Sequence, residues 1–154
     1  MVKGGGSVHI DCEPAVVFDF VSNVENNPRW HPYVKATAWL DDAPTRVGRR
    51  GRQTSKLLWF RYTVEAEVLE WDPPRRVVWG TVAGDATVRT ACDVTPEPGG
   101  CRLALWTEGE FTNPLLRLLS PVLIASLKRK ALADLRRLAT TLATDAGGVT
   151  PGVP

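Results

Sequence analysis

The feature that most narrows the fold is a stretch of short alternating segments between Val34 and Phe111, separated by little more than turns. Residues 34–40 read as a strand, and 41–48, with Pro44 and Gly48, as a turn. Residues 49–59 and 60–71 follow as two further strands. In the second, Tyr62, Val64, Ala66 and Val68 share one face while Arg61, Thr63, Glu65 and Glu67 share the other. That period of two belongs to a strand with one face buried. Asp72-Pro73-Pro74 stops it, because proline has no N–H to give to a ladder. Residues 76–82, 87–95 and 102–111 supply three more strands, and strands this closely spaced describe an antiparallel meander.

The flanks differ in character. Residues 1–7 are glycine-rich, and strand-like alternation begins only with Val8, Ile10 and Cys12. Glu13-Pro14 opens a helix carrying Val17, Phe18 and Val21, since proline suits the first helical turn. Ser22-Asn23 ends it, and Asn26-Asn27-Pro28 breaks the chain ahead of Arg29-Trp30-His31, which sits in a loop or a second short helix. After the meander, Ser120-Pro121 starts a long helix. Leu123, Leu127, Ala131, Leu135, Leu138 and Leu142 form its apolar stripe, opposite Lys128, Arg129, Arg136 and Arg137. An antiparallel sheet needs its apolar face covered, and only this helix is long enough to do so. The expectation is an α+β chain: a curved six- to seven-stranded antiparallel sheet wrapped round a long C-terminal helix, with one or two short helices after the first strand. A single domain over 1–146 and a tail at 147–154 are expected, with space for a pocket between sheet and helix.

Several function classes are disfavoured. Nineteen basic residues against 17 acidic ones give a net charge of +2, without the basic excess of a nucleic-acid binder. Cys12, Cys92 and Cys101 follow no metal spacing, and only His9 and His31 could join them, so no metal site is expected. A reduced, cytoplasmic protein is the expectation. No signal-peptide core precedes the first strand, and the most apolar run, 115–127, is too short to span a bilayer. Val47-Gly48-Arg49-Arg50-Gly51 is neither a phosphate-binding loop nor a dinucleotide fingerprint, and no Gly-x-Ser-x-Gly elbow occurs. No cofactor is expected.

Taken in order, several segments resemble the START-like superfamily with the helix-grip fold, in particular its polyketide cyclase/dehydrase and lipid-transport branch. They are the opening run from Val8 to Val21, the Asn27-Pro28-Arg29-Trp30-His31-Pro32 turn, and Val47-Gly48-Arg49-Arg50. The Glu70-Trp71-Asp72-Pro73-Pro74-Arg75-Arg76 turn, Gly99-Gly100-Cys101-Arg102-Leu103 and Asp134-Leu135-Arg136-Arg137-Leu138 complete the set. The resemblance implies a deep, mostly apolar cavity for a small hydrophobic ligand, with the Trp30-His31-Pro32 turn by its mouth.

Candidate site residues follow from the alternation. Tyr62 and Val64 are placed inward with the apolar face of the 60–71 strand, and Gln53 and Ser55 lie on the less charged face of the strand before it. Leu105 and Thr107 are placed inward with Leu103 and Gly109, although Trp106 on the opposite face leaves the register open. Trp30, Trp79, Leu123 and Leu127 complete the expected lining. Of the strand tryptophans Trp39, Trp59, Trp79 and Trp106, most are expected in the core. An unperturbed imidazole titrates near neutrality and a phenol can donate to a carbonyl, so His31 and Tyr62 are the candidates for acid–base catalysis. Alternatively, His31 is solvated while Trp30 anchors the short helix. Binding of a polyketide-, isoprenoid- or lipid-like ligand is the leading reading. A polyketide cyclase, aromatase or dehydratase using the same cavity is the alternative, and a protein-interaction module a weaker one.

The run Arg46, Arg49, Arg50, Arg52, Lys56 and Arg61 contains no acid. It is either a solvated hairpin paired with Glu65, Glu67 and Glu70, or a patch for an anionic partner such as an acyl carrier protein, a phosphopantetheine, an anionic lipid or RNA.

Overall fold

The structure, a computed structural model, describes residues 2–57, 60–118 and 133–142. The first strand, β1 (Val2–Ile10), leads into α1 (Pro14–Ser22), a 3₁₀ turn (Val24–Asn26) and α2 (Asn27–Trp30). Six strands follow: β2 (Val34–Trp39), β3 (Arg50–Leu57), β4 (Phe60–Asp72), β5 (Arg76–Gly84), β6 (Ala86–Glu97) and β7 (Gly100–Phe111). A short helix α3 (Pro114–Leu118) and a helical run over 133–142, here α4, complete the described chain.

All strand pairs are antiparallel, and the seven-stranded sheet has the order β1-β7-β6-β5-β4-β3-β2. β2 to β7 form the expected meander, while β1 crosses to the far edge and pairs with β7 from Val2↔Gly109 to Ile10↔Cys101. Register shifts interrupt the β2–β3 pair at Val34/Ala36 and the β4–β5 pair at Glu65/Ala66 and Val68/Glu70. Such irregularities bend a strand and increase its twist, which curls the sheet. Its inner face and α1 pack on α4: Val17, Phe18, Val68, Leu103, Leu135 and Leu138 belong to one buried cluster. Arg136 and Arg137 are exposed on the other side of α4, as the stripe predicts.

Two expectations change. The glycine-rich start lies inside β1, not ahead of it. A Cβ at Gly5 would stand 2.5 Å from the Leu105 carbonyl oxygen of β7, so glycine is what allows the two backbones to approach. The segment after β7 also forms α3 before the expected helix begins, with Leu115 N–H donating to Asn113 Oδ1 at 2.8 Å. The expected helix start at Ser120-Pro121, the stripe positions Leu123, Leu127 and Ala131, and the 147–154 tail lie outside the described residues. On β7, Leu103 and Leu105 are buried while Trp106 is 40% exposed, which settles the register left open by the sequence.

Candidate functional site

The inner face of the sheet and the α1–α2 segment enclose a cavity of about 220 Å³. Gln53, Tyr62, Val64, Trp79, Leu105 and Thr107 line it from the strands; Val21, Val24, Asn27, Trp30, His31 and Tyr33 line it from the helical side. The alternation that buries one face of each strand therefore also builds the wall. Ser55 is fully buried behind that wall rather than in it. Leu123 and Leu127 lie outside the described residues.

Most polar side chains of the wall are already paired with protein groups. Asn27 Nδ2 donates to Gln53 Oε1 at 2.9 Å, and Gln53 Nε2 donates to Ser55 Oγ at 3.2 Å. Ser55 also hydrogen-bonds Tyr62. The hydroxyls of Thr90 and Thr107 meet at 3.3 Å, and Thr81 Oγ1 donates to the Val88 carbonyl at 3.1 Å. With these dipoles engaged, Val64, Val88, Leu105 and Phe111 leave an interior suited to apolar matter.

His31 departs from the solvated reading of it. Its side chain is neither solvated nor alone: the residue is 8% exposed, and Nδ1 lies 2.9 Å from Asp134 Oδ2 at the start of the described part of α4. The carboxylate accepts from Nδ1–H, so Nε2 is the nitrogen left for a ligand. The imidazole stacks on Trp30, with centroids 3.6 Å apart, and lies 5.2 Å from Tyr33. Asp134 escapes a sequence reading because its partner is 103 residues away and its neighbours Arg136 and Arg137 mark a solvated helix face.

Burial governs the other ionisable groups. It raises the Tyr33 phenol far above its ordinary value, with Tyr62 and Asp134 adding to the effect. It raises Tyr62 as well, and the Ser55 hydrogen bond opposes that only in part. Both phenols therefore remain neutral donors. Cys92, also in the wall, has its thiol pushed up to about 12 by burial and stays protonated. Tyr33 and Cys92 were not expected in the site. Tyr33 follows the Pro32 turn directly, which was a usable signal.

Other aromatic rings brace the wall and the core. Trp79 and Trp39 approach to 5.5 Å between centroids, the Arg49 guanidinium lies 3.6 Å over Trp39, and Trp71 meets Phe18 at 5.0 Å. Trp59 lies outside the described residues. The basic hairpin is largely neutralised at its base. Arg50 pairs with Glu67 at 3.3 Å, Arg52 with Glu65 at 2.7 Å and Arg49 with Asp41 at 3.5 Å. Glu70 instead serves Arg76 and Arg89. Among the described residues no group of three or more His, Cys, Asp or Glu could hold a metal ion, and no helix is long and apolar enough to cross a membrane.

A curled antiparallel sheet that grips a C-terminal helix and holds an apolar cavity defines the helix-grip class of START-like proteins. The chain belongs to the family described as polyketide cyclase / dehydrase and lipid transport, whose pattern matches residues 1–143. Solved structures share the fold at low sequence identity. A Thermus thermophilus protein is 19% identical with a TM-score of 0.77, covering 93% of this chain and 98% of that one. A Streptomyces aromatase/cyclase is 12% identical with a TM-score of 0.76, covering 92% and 93%. A START superfamily protein from Mycobacterium smegmatis is 16% identical with a TM-score of 0.69, covering 92% and 99%. No curated protein sequence matches the chain.

Proposed function

We propose that this chain binds a small hydrophobic ligand, polyketide-, isoprenoid- or lipid-like, in the cavity between the sheet and the helices. The observation that carries the reading is the wall itself: its side-chain amides and threonine hydroxyls are bonded to protein groups, and the rest of the surface is largely apolar. Apolar burial then supplies affinity, while His31 Nε2 and the Tyr62 and Tyr33 phenols orient a ligand oxygen. Native mass spectrometry of the purified chain, followed by denaturing extraction, tests it. An apolar molecule released near one-to-one supports the reading. Failure to retain any fatty acid, isoprenoid or aromatic polyketide offered at saturating concentration overturns it.

The His31–Asp134 contact favours a second reading, a cofactor-independent cyclase, aromatase or dehydratase. A base held by a carboxylate keeps a fixed orientation, and a neutral phenol lining the same cavity can donate to a developing enolate. An activated poly-carbonyl chain, folded and shielded from water, needs little more. His31→Ala and Tyr62→Phe should each cut turnover by about 10²-fold or more. Turnover unchanged in both variants removes this reading and leaves binding standing. The free, buried state of Cys12, Cys92 and Cys101 supports a reducing, cytoplasmic setting.

A further inference from the structure

All seven strands run antiparallel to their neighbours, so the ends of β3, β5 and β7 lie with the starts of β2, β4 and β6 at one end of the sheet. Asp85 ties that end together: its carboxylate accepts from the Thr63 N–H at 3.0 Å, and its carbonyl accepts from the Thr112 hydroxyl at 2.9 Å. The cavity reaches the same end, because Tyr62, Ala86 and Phe111 line it there.

Two observations at this end have no role in the ligand-binding reading. Lys56 and Arg61 are direct cross-strand partners, both exposed, with no ion-pair partner among the described residues. Like charges in direct opposition destabilise a strand pair. Arg50 and Arg52, further along the same hairpin, each have a glutamate opposite. Beyond β7, α3 turns Leu115 and Leu118 outward at 64% and 77% exposure. It is fixed in that position by Arg117, whose Nε donates to the Phe111 carbonyl at 2.8 Å. The acids nearby are occupied: Glu110 lies 3.6 Å from Arg117, and Asp85 accepts from the backbone.

We propose that this end of the molecule docks on an anionic lipid surface, placing the cavity beside the bilayer that supplies or receives its ligand. The proposal rests on the ligand-binding reading for its purpose, though not for its test. Uncompensated cations meet the negative headgroup potential, and outward leucines enter the apolar boundary below it. An acidic protein would match the cations but offers nothing specific to two leucines exposed to this degree.

The test is co-sedimentation of the full chain, without added ligand, with phosphatidylcholine vesicles that contain or lack phosphatidylserine. Binding is expected with phosphatidylserine and should weaken as salt rises. Lys56→Glu should lower vesicle affinity by at least about five-fold, the weight of one cation at such a surface. The same change places a carboxylate opposite Arg61, so Tm should hold or rise, which separates lost docking from lost folding. Leu115→Ser with Leu118→Ser should also weaken binding, whereas Arg46→Gln, a lost cation in the 41–48 turn at the opposite end, should leave it unchanged. Equal binding to both vesicle types, wild-type affinity in Lys56→Glu, or binding to an acidic carrier protein but not to vesicles overturns docking. A chain that binds vesicles yet retains no apolar ligand in solution overturns the cavity reading instead.

Discussion

His31 and Asp134 are two small polar groups placed where neither would be tolerated alone. Removing the carboxylate strands a buried imidazole nitrogen, at a cost of about 1–3 kcal/mol. Asp134→Ala should therefore destabilise by that amount in urea denaturation. A double-mutant cycle with His31→Ala should show coupling of about 0.5–3 kcal/mol, and additive losses would mean that the two do not act as a unit. A second histidine works in the open. The Glu97 hydrogen bond and then that of Asp11 hold His9 above the ordinary imidazole value, while His9 and then Arg102 hold Glu97 below the usual carboxylate range. The raised His9 value contributes stability that is complete below the unfolded imidazole value and disappears as pH rises through the folded one. The depressed Glu97 value contributes stability present above the unfolded carboxylate value and lost as pH falls through the folded one. The two overlap between about pH 4.3 and about pH 6.5. The difference in Tm between the wild type and His9→Gln should be widest there and narrow towards both extremes.

At the level of elements, α4 is the component on which the sheet closes. Leu135 and Leu138 are fully buried with Val17, Phe18 and Leu103, so Leu138→Ala should cost about 2–5 kcal/mol. An exposed substitution on the same turn, Arg137→Ala, should stay within about 0.5 kcal/mol. Gly5→Val should destabilise the β1–β7 pair, because its side chain would meet the Leu105 carbonyl; faster amide exchange confined to residues 2–10 and 101–109 is the expected readout. These elements were unevenly legible in the sequence. Tyr62, Val64, Ala66 and Val68 announced β4 and its buried face because alternation is a local property. Gly4, Gly5 and Gly6 concealed the first half of β1, since glycine disfavours strands in isolation and is explained only by the backbone opposite. Asp134 as a partner of His31 was invisible for the same reason: the contact joins the end of α2 to α4 and leaves no mark within either segment.

For the whole molecule, an apolar ligand that binds only the folded chain should stabilise it by about 2.7 kcal/mol at a hundred times its Kd. A Tm that rises with ligand concentration is the corresponding observation. The cysteines offer a second readout. Cys12, Cys92 and Cys101 are all buried and free, and burial raises each thiol, Cys92 up to about 12. A maleimide reagent at neutral pH should label them only as the fold opens, and bound ligand should slow the Cys92 reaction most, because that thiol is in the cavity wall. The general architecture was readable from the order of the segments, whereas the cavity's chemistry depended on which side chains pair with one another, which is set in three dimensions.

The pairing of β1 with β7 also orders events in time. Residues 2–10 leave the ribosome well before residues 101–109, their strand partner. The opening strand must wait while the meander from β2 to β7 assembles hairpin by hairpin, from contacts that are local in sequence. α4, which covers the inner face, emerges later still. During synthesis the nascent chain therefore carries an apolar sheet face without its cover, an interval in which a chaperone would have most to protect.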